Sequence, residues 1–192
     1  MARWLAHPLS TSRSLRVGAL SVAAALAAAG VTGAAGTTPA ATGTAHPGSE
    51  VAVTVTGKVS HKLRLTLAEL SRLPAHTVSV TYQARNGSQA HTYSGPLLYD
   101  VLEQAQPRVR PQVKNDLLRD YVAATAASDG YRAVVAWGEI DPSYEAKQVL
   151  LADNEDGTPL TGQQLVLVVP GDKFGGRYVS GVTSLRLGRA DS

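Results

Sequence analysis

Apolar and polar residues alternate from Val51 to Gly57 in a run rich in β-branched side chains, which predicts a strand. Leu63-Arg64-Leu65 predicts a short second one. Thr66 followed by Glu69 is a capping box, with Leu65 and Leu70 placed to staple it, and it predicts a helix over 67–73 that stops before Pro74. Residues 76–84 alternate again, with Val78 and Val80 on one face. Asn86-Gly87 marks a hairpin inside a longer loop, and the chain returns over 90–93. Gly95-Pro96 predicts the opening of a second helix with Pro96 in its first turn. Leu97, Leu98, Val101, Leu102 and Ala105 fall on one face of it, the clearest amphipathic pattern in the chain.

Beyond a linker at 107–111, residues 116–119 predict one helical turn. Strands are expected over 121–127 and 131–137 around the turn Ser128-Asp129-Gly130. Residues 138–145 predict a loop or short helix, and apolar runs at 149–152, 164–169 and 178–187 complete the set. Roughly eight strands against two or three short helices predict an α+β domain, with a mixed or antiparallel sheet and helices to one side. A wound βαβ fold is excluded: the helices are too few and no G-x-G-x-x-G opens one.

Composition sets further bounds. The chain has no cysteine, so disulfides, thiolate metal ligands and a cysteine nucleophile are all excluded. Residues 1–35 have the layout of a signal peptide, with Arg3, Arg13 and Arg16 before an apolar run over 17–31 and small residues after it. Cleavage after Ala29, Ala35 or Ala45 fits equally. Arg13 and Arg16 are not adjacent, so no twin-arginine signal is present. Residues 36–49 hold no charge and read as a flexible tether ahead of a domain over 50–189. Export to the periplasm or the extracellular space is therefore expected, with no membrane span in the mature chain. The basic balance belongs to the leader: without its three arginines, fifteen cations face fifteen acids. A nucleic-acid partner loses its main argument.

The candidate chemistry centres on Val169-Pro170-Gly171-Asp172-Lys173-Phe174-Gly175-Gly176-Arg177-Tyr178. Glycines let backbone N–H groups approach an anion, and Lys173 and Arg177 add a point charge and a planar fork. The residues alone leave two readings open, an anion cradle and an ordinary strand connection. The loop is not a P-loop, since G-x-x-x-x-G-K-[ST] is absent. His61, His76 and His91 sit on separate segments with no i,i+4 pair, so no metal ligand is assigned. Asp153-Asn154-Glu155-Asp156-Gly157 fails the calcium-loop pattern and reads as a solvated hairpin turn. Asp129-Gly130-Tyr131-Arg132 reads as a hairpin turn that gains interest only if it meets the glycine loop. No G-x-S-x-G supports acyl transfer, and no catalytic residue is assigned.

Four segments taken together, 93–102, 127–131, 154–160 and 169–179, resemble the sulfite-oxidase-type molybdopterin-binding oxidoreductase domain in a short secreted form. The resemblance covers about 51–188. It implies a mixed, β-rich fold, a pterin cofactor carrying molybdenum, and two-electron oxygen-atom chemistry. It implies that Gly171, Lys173, Gly175, Gly176 and Arg177 contact the pterin phosphate, with Tyr178 and Ser180 nearby. The family holds its metal through a cysteine at the end of the strand before the helix, in a C-x-G-N-G-like run. Gln83-Ala84-Arg85-Asn86-Gly87 stands there in this chain, with Gln83 at the thiolate's place. Family members that load cofactor in the cytoplasm are usually exported folded, whereas a general-secretion leader delivers an unfolded chain. The resemblance thus implies a molybdopterin-binding fold without the thiolate-held metal. A non-catalytic module binding a small anionic ligand or a protein partner in the same pocket is the alternative. The sequence names no redox partner.

Overall fold

The computed structural model describes residues 50–110 and 116–190. The leader and the tether lie outside the described residues, and so does Pro111, the last residue of the linker expected at 107–111.

The strand expected at the start is β1 (Val51–Gly57), and its inward residues Val53 and Val55 are fully buried. It pairs antiparallel with β2 (Leu63–Thr66). The capping box forms at helix α1 (Leu67–Leu70): Glu69 N–H donates to Thr66 Oγ1 at 3.3 Å, and Thr66 N–H donates to Glu69 Oε2 at 2.8 Å. The helix is one turn shorter than expected, and Leu73 closes a turn onto Leu70 O instead.

β3 (Ala75–Ala84) and β4 (Gly87–Pro96) form a hairpin of two ten-residue strands whose pairing runs to Ala84–Gly87, leaving only Arg85 and Asn86 as its loop. This is tighter than the longer loop expected, and Gly87, at φ +111°, supplies the left-handed backbone the turn needs. Gly95-Pro96 ends β4 and does not open the helix. The reason is a close backbone crossing: a Cβ on Gly95 would lie 2.6 Å from Leu151 O. Helix α2 (Leu98–Glu103) starts afterwards, and its face of Leu98, Val101 and Leu102, extended by Ala105, is buried as expected.

A 3-10 turn over Asp116–Arg119 leads into β5 (Asp120–Ala126), β6 (Arg132–Ala136) and helix α3 (Trp137–Ile140). Then come β7 (Leu150–Ala152), β8 (Asn154–Glu155), β9 (Thr158–Pro159) and β10 (Val166–Val168). The apolar run expected as one strand at 178–187 is two: β11 (Val179–Ser180) and β12 (Val182–Arg189). Gly181, at φ +71°, breaks the run, and the two halves join different sheets. 

The sheet orders are β2-β1-β12-β5-β6, β11-β10-β7 and β3-β4-β8-β9. The first is mixed, because β1 and β12 run parallel while its other pairs are antiparallel. A large core under it takes in α2, Leu185, Leu187, Leu165 and Leu167. A second, smaller core of Val80, Tyr93, Leu150, Ala152, Val166 and Val168 joins the other two sheets, with Tyr82 and Tyr178 packed on its margin. This β-rich α+β architecture is the one the sequence predicts. Among the described residues no helix is long and apolar enough to cross a membrane.

Candidate functional site

The glycine loop leaves β10, turns at Gly171 (φ +90°) and makes a 3-10 turn at Gly175–Arg177 before β11. Three contacts fix it. Gln83 N–H donates to Lys173 O at 2.9 Å, and Gln83 bridges Phe174 as a short parallel pair. Gly175 lies against the Tyr82 ring so closely that a Cβ would sit 3.0 Å from two ring carbons. Tyr131 Oη donates to Gly176 O at 2.6 Å, while Asp129 Oδ1 accepts the Tyr131 N–H at 2.9 Å and sets that turn. The loop, the end of β3 and the Asp129–Tyr131 turn therefore converge, and the turn singled out in the sequence does meet the glycine loop.

Arg177 is held by the protein itself. Its Nε donates to Asp172 Oδ2 at 2.8 Å and its Nη2 to Asp172 Oδ1 at 2.7 Å. Its Nη1 reaches both Glu139 oxygens, at 2.9 and 3.0 Å. Lys147 donates to the same Glu139 at 3.1 Å and pairs with Glu145 at 3.1 Å. The Arg177 hydrogen bonds hold the Asp172 carboxyl below its usual range. Burial pushes Glu139 up, but hydrogen bonds from Lys147 and Arg177 more than offset it and leave it lowered. Bidentate pairing with Asp172, opposed in part by burial, raises Arg177 further. The fork expected to meet a phosphate is thus engaged by two of the protein's own carboxylates, in a cluster of two cations and three acids.

The other predicted residues divide. Lys173 is exposed and forms no ion pair among the described residues. Ser180 is exposed in β11, opposite Val166. Tyr178 stacks on Tyr82 with ring centroids 4.1 Å apart, and burial pushes its phenol up to about 12. Its Oη is buried without a hydrogen-bond partner among the described residues, an arrangement that a ligand group or water relieves. Gly171 and Gly176 have open space where a side chain would be: a Cβ meets nothing within 4 Å at the first and only Tyr131 Oη, at 4.0 Å, at the second.

Gln83 stands at the junction of β3 and the loop, with its side chain exposed. A neutral amide oxygen is a hard, weak donor, and molybdenum held in the manner the resemblance implies needs a soft anionic sulfur. The residues here do not fit thiolate-held molybdenum.

Sequence reasoning missed a second cluster. Pairing of Tyr93 with Glu155 across β4 and β8 brings His91, Tyr93, Glu155 and Asp156 together. His91 Nδ1 lies 2.8 Å from Asp156 Oδ2 and 3.3 Å from Glu155 Oε1, and Tyr93 Oη donates to Glu155 Oε1 at 2.9 Å. Burial, followed by hydrogen bonding with Glu155, lifts the Tyr93 phenol well above its ordinary range. No local motif flags this group, because its two halves, His91 with Tyr93 and Glu155 with Asp156, lie more than sixty residues apart. Elsewhere Lys58, Arg108, Arg110, Arg119 and Arg189 line a basic cleft in which Asp116 and Asp120 are buried ion-pair partners.

Comparison with known proteins follows the fold. No curated protein matches the chain. The sulfane dehydrogenase SoxCD from Paracoccus pantotrophus superposes with a TM-score of 0.57 at 20% identity, over 73% of this chain and 39% of that one. At that identity the likeness is one of fold, and this chain spans well under half of that protein's length. The sequence model described as "Oxidoreductase molybdopterin binding domain" matches residues 41–192, most of the chain. The chain therefore belongs to the molybdopterin-binding oxidoreductase domain family.

Proposed function

We propose that this is an exported protein that keeps the molybdopterin-binding fold and binds a small anionic or pterin-type ligand beside the glycine loop, without holding molybdenum through a thiolate. The observation that carries the reading is the contact of Gln83 with the loop, its N–H donating to Lys173 O at 2.9 Å. The strand end to which the resemblance assigns the metal's ligand and the loop to which it assigns the cofactor are neighbours, and the residue at their junction offers only an amide.

The ligand's chemistry follows from the groups left over once Arg177 is clamped. Among the described residues Lys173 supplies a charge with no ion pair, Gly171 and Gly176 supply room for close approach, and Tyr178 Oη supplies a hydrogen-bonding group without a partner. Together they suit one phosphate or carboxylate on a planar ring that stacks in the Tyr82–Tyr178 neighbourhood. Export rests on the leader over 1–35, and a general-secretion route delivers the chain before any cytoplasmic cofactor is loaded.

One observation favours a second reading, a protein partner on the same face. Phe174 at the loop tip is 71% exposed and Tyr131, hydrogen-bonded to the loop, is 49% exposed. Exposed aromatics of this kind anchor interfaces. Calorimetric titration of the mature protein with inorganic phosphate and with a pterin monophosphate tests the first reading. Saturable binding that K173A weakens, with the melting temperature unchanged, is expected. Failure of both probes to bind overturns it and leaves the Phe174 surface as the function of this face.

A further inference from the structure

We propose that His91, Glu155 and Asp156 form a binding site for one divalent transition ion of the zinc type. Its three ligands come from β4 and from the segment at β8, and none comes from the glycine loop. One atom from each residue, the His91 ring nitrogen and one oxygen of each carboxylate, lies within 4.8 Å of the other two.

The spacing is that of a coordination shell. Ligand atoms about 2.1 Å from a tetrahedral zinc lie about 3.4 Å from one another. His91 Nδ1 is 2.8 Å from Asp156 Oδ2 and 3.3 Å from Glu155 Oε1, so small adjustments seat an ion between them. A proton on Nδ1 satisfies only one of these carboxylates well, whereas a dication satisfies both. Two carboxylates and a neutral imidazole also carry the two negative charges that a divalent ion neutralises.

Both carboxylates accept hydrogen bonds from neighbouring groups that fix their position. Tyr93, only 2% exposed, donates its hydroxyl to Glu155 Oε1 at 2.9 Å. The Thr92 N–H donates to Asp156 Oδ1 at 2.8 Å, which leaves Oδ2 directed to His91. Outer contacts of this kind orient metal ligands and tune their affinity. They come from β4 itself, and Thr92 O also accepts the Asp156 N–H at 2.8 Å, so the site is tied to a ten-residue strand and not to a free loop.

The donor set selects among ions. Imidazole with two carboxylates suits zinc, manganese or cobalt, and calcium prefers six to eight oxygens. Three protein ligands leave a fourth position, and His91 and Asp156 both line a cleft of about 250 Å³ along the β3–β4 hairpin. That position is therefore open to water or to an anionic group of a small molecule.

The test uses the full mature protein, stripped with chelator and dialysed. Zn²⁺ is titrated calorimetrically, and Co²⁺ is titrated while its visible absorption is recorded. One equivalent of each ion is expected to bind, with Co²⁺ giving the absorption of a low-coordinate nitrogen–oxygen site. H91A is expected to lose saturable binding, and E155Q, nearly isosteric, to weaken it. Y93F is expected to weaken it about tenfold while keeping one equivalent, because it removes only the outer hydrogen bond. K173A serves as the control and is expected to bind as the wild type does. If H91A fails to fold, E155Q and D156N decide. Absence of saturable binding in the wild type, or unchanged binding in E155Q and D156N, overturns the proposal.

Discussion

Replacing Arg177 with alanine separates two roles for this side chain, a ligand-binding fork and a structural clamp. In the structure it bridges Asp172 and Glu139 with four hydrogen bonds, and the three side chains are 30%, 21% and 19% exposed. Exposed ion pairs are worth up to about 1 kcal/mol, and breaking a buried one costs about 3–5 kcal/mol. Partial exposure of Arg177 discounts the second figure. Lys147 also stays behind to hold Glu139, so Asp172 is the carboxylate stranded. The expected loss is about 2 kcal/mol, which for a domain of this size lowers the melting temperature by about 6–8 °C. Thermal and urea denaturation of the mature protein measure it, and a cycle with D172N should show coupling of about 1–2 kcal/mol between the two positions. A melting temperature within about 2 °C of the wild type, with no coupling to Asp172, would refute the clamp and return Arg177 to the ligand.

Other substitutions and conditions test separate parts of the account. Lys173→Ala should leave the melting temperature unchanged, since the side chain is exposed and unpaired among the described residues, while weakening phosphate or pterin binding in titration. Gly57→Ala should destabilise by about 3–5 kcal/mol in urea melts, because φ is +94° and a Cβ would lie 2.0 Å from Leu187 O. Hydrogen bonds from Arg189 and Arg119 hold Asp116 down at about 2. A lowered carboxylate stabilises the fold above its unfolded pKa of about 4 and loses that contribution as pH falls through 2, so melting temperature should drop between pH 4 and 2. Asp116→Asn should be less stable at neutral pH and show a shallower drop over that window.

Local features of the fold were legible in the sequence, and features set by register were not. Thr66 and Glu69 are three residues apart, so the capping box could be read directly. The buried face of α2 was equally plain from its period. Gly95-Pro96 misled because its glycine answers a backbone 56 residues away, at Leu151, and not the helix that follows. Gly181 divided a continuous apolar run because β11 and β12 belong to different sheets, a fact of topology that alternation does not carry.

The site shows the same division. The glycine loop was visible as a motif, and Asp172 stands five residues before Arg177, yet the loop's composition suggested a fork free for an anion. Glu139, the second carboxylate on Arg177, comes from α3, 38 residues earlier, and nothing local announces it. His91 looked isolated, and the acidic run beside Glu155 looked like a solvated turn. Antiparallel pairing of β4 with β8 joins them.

The central claim is that the fold persists while thiolate-held molybdenum does not. The most direct measurement is the molybdenum and pterin content of the natively exported protein, by elemental analysis together with pterin fluorescence after oxidation. Molybdenum far below one atom per chain, whether or not pterin or another anion is present, is the predicted result. Near-stoichiometric molybdenum that survives gel filtration would contradict the account.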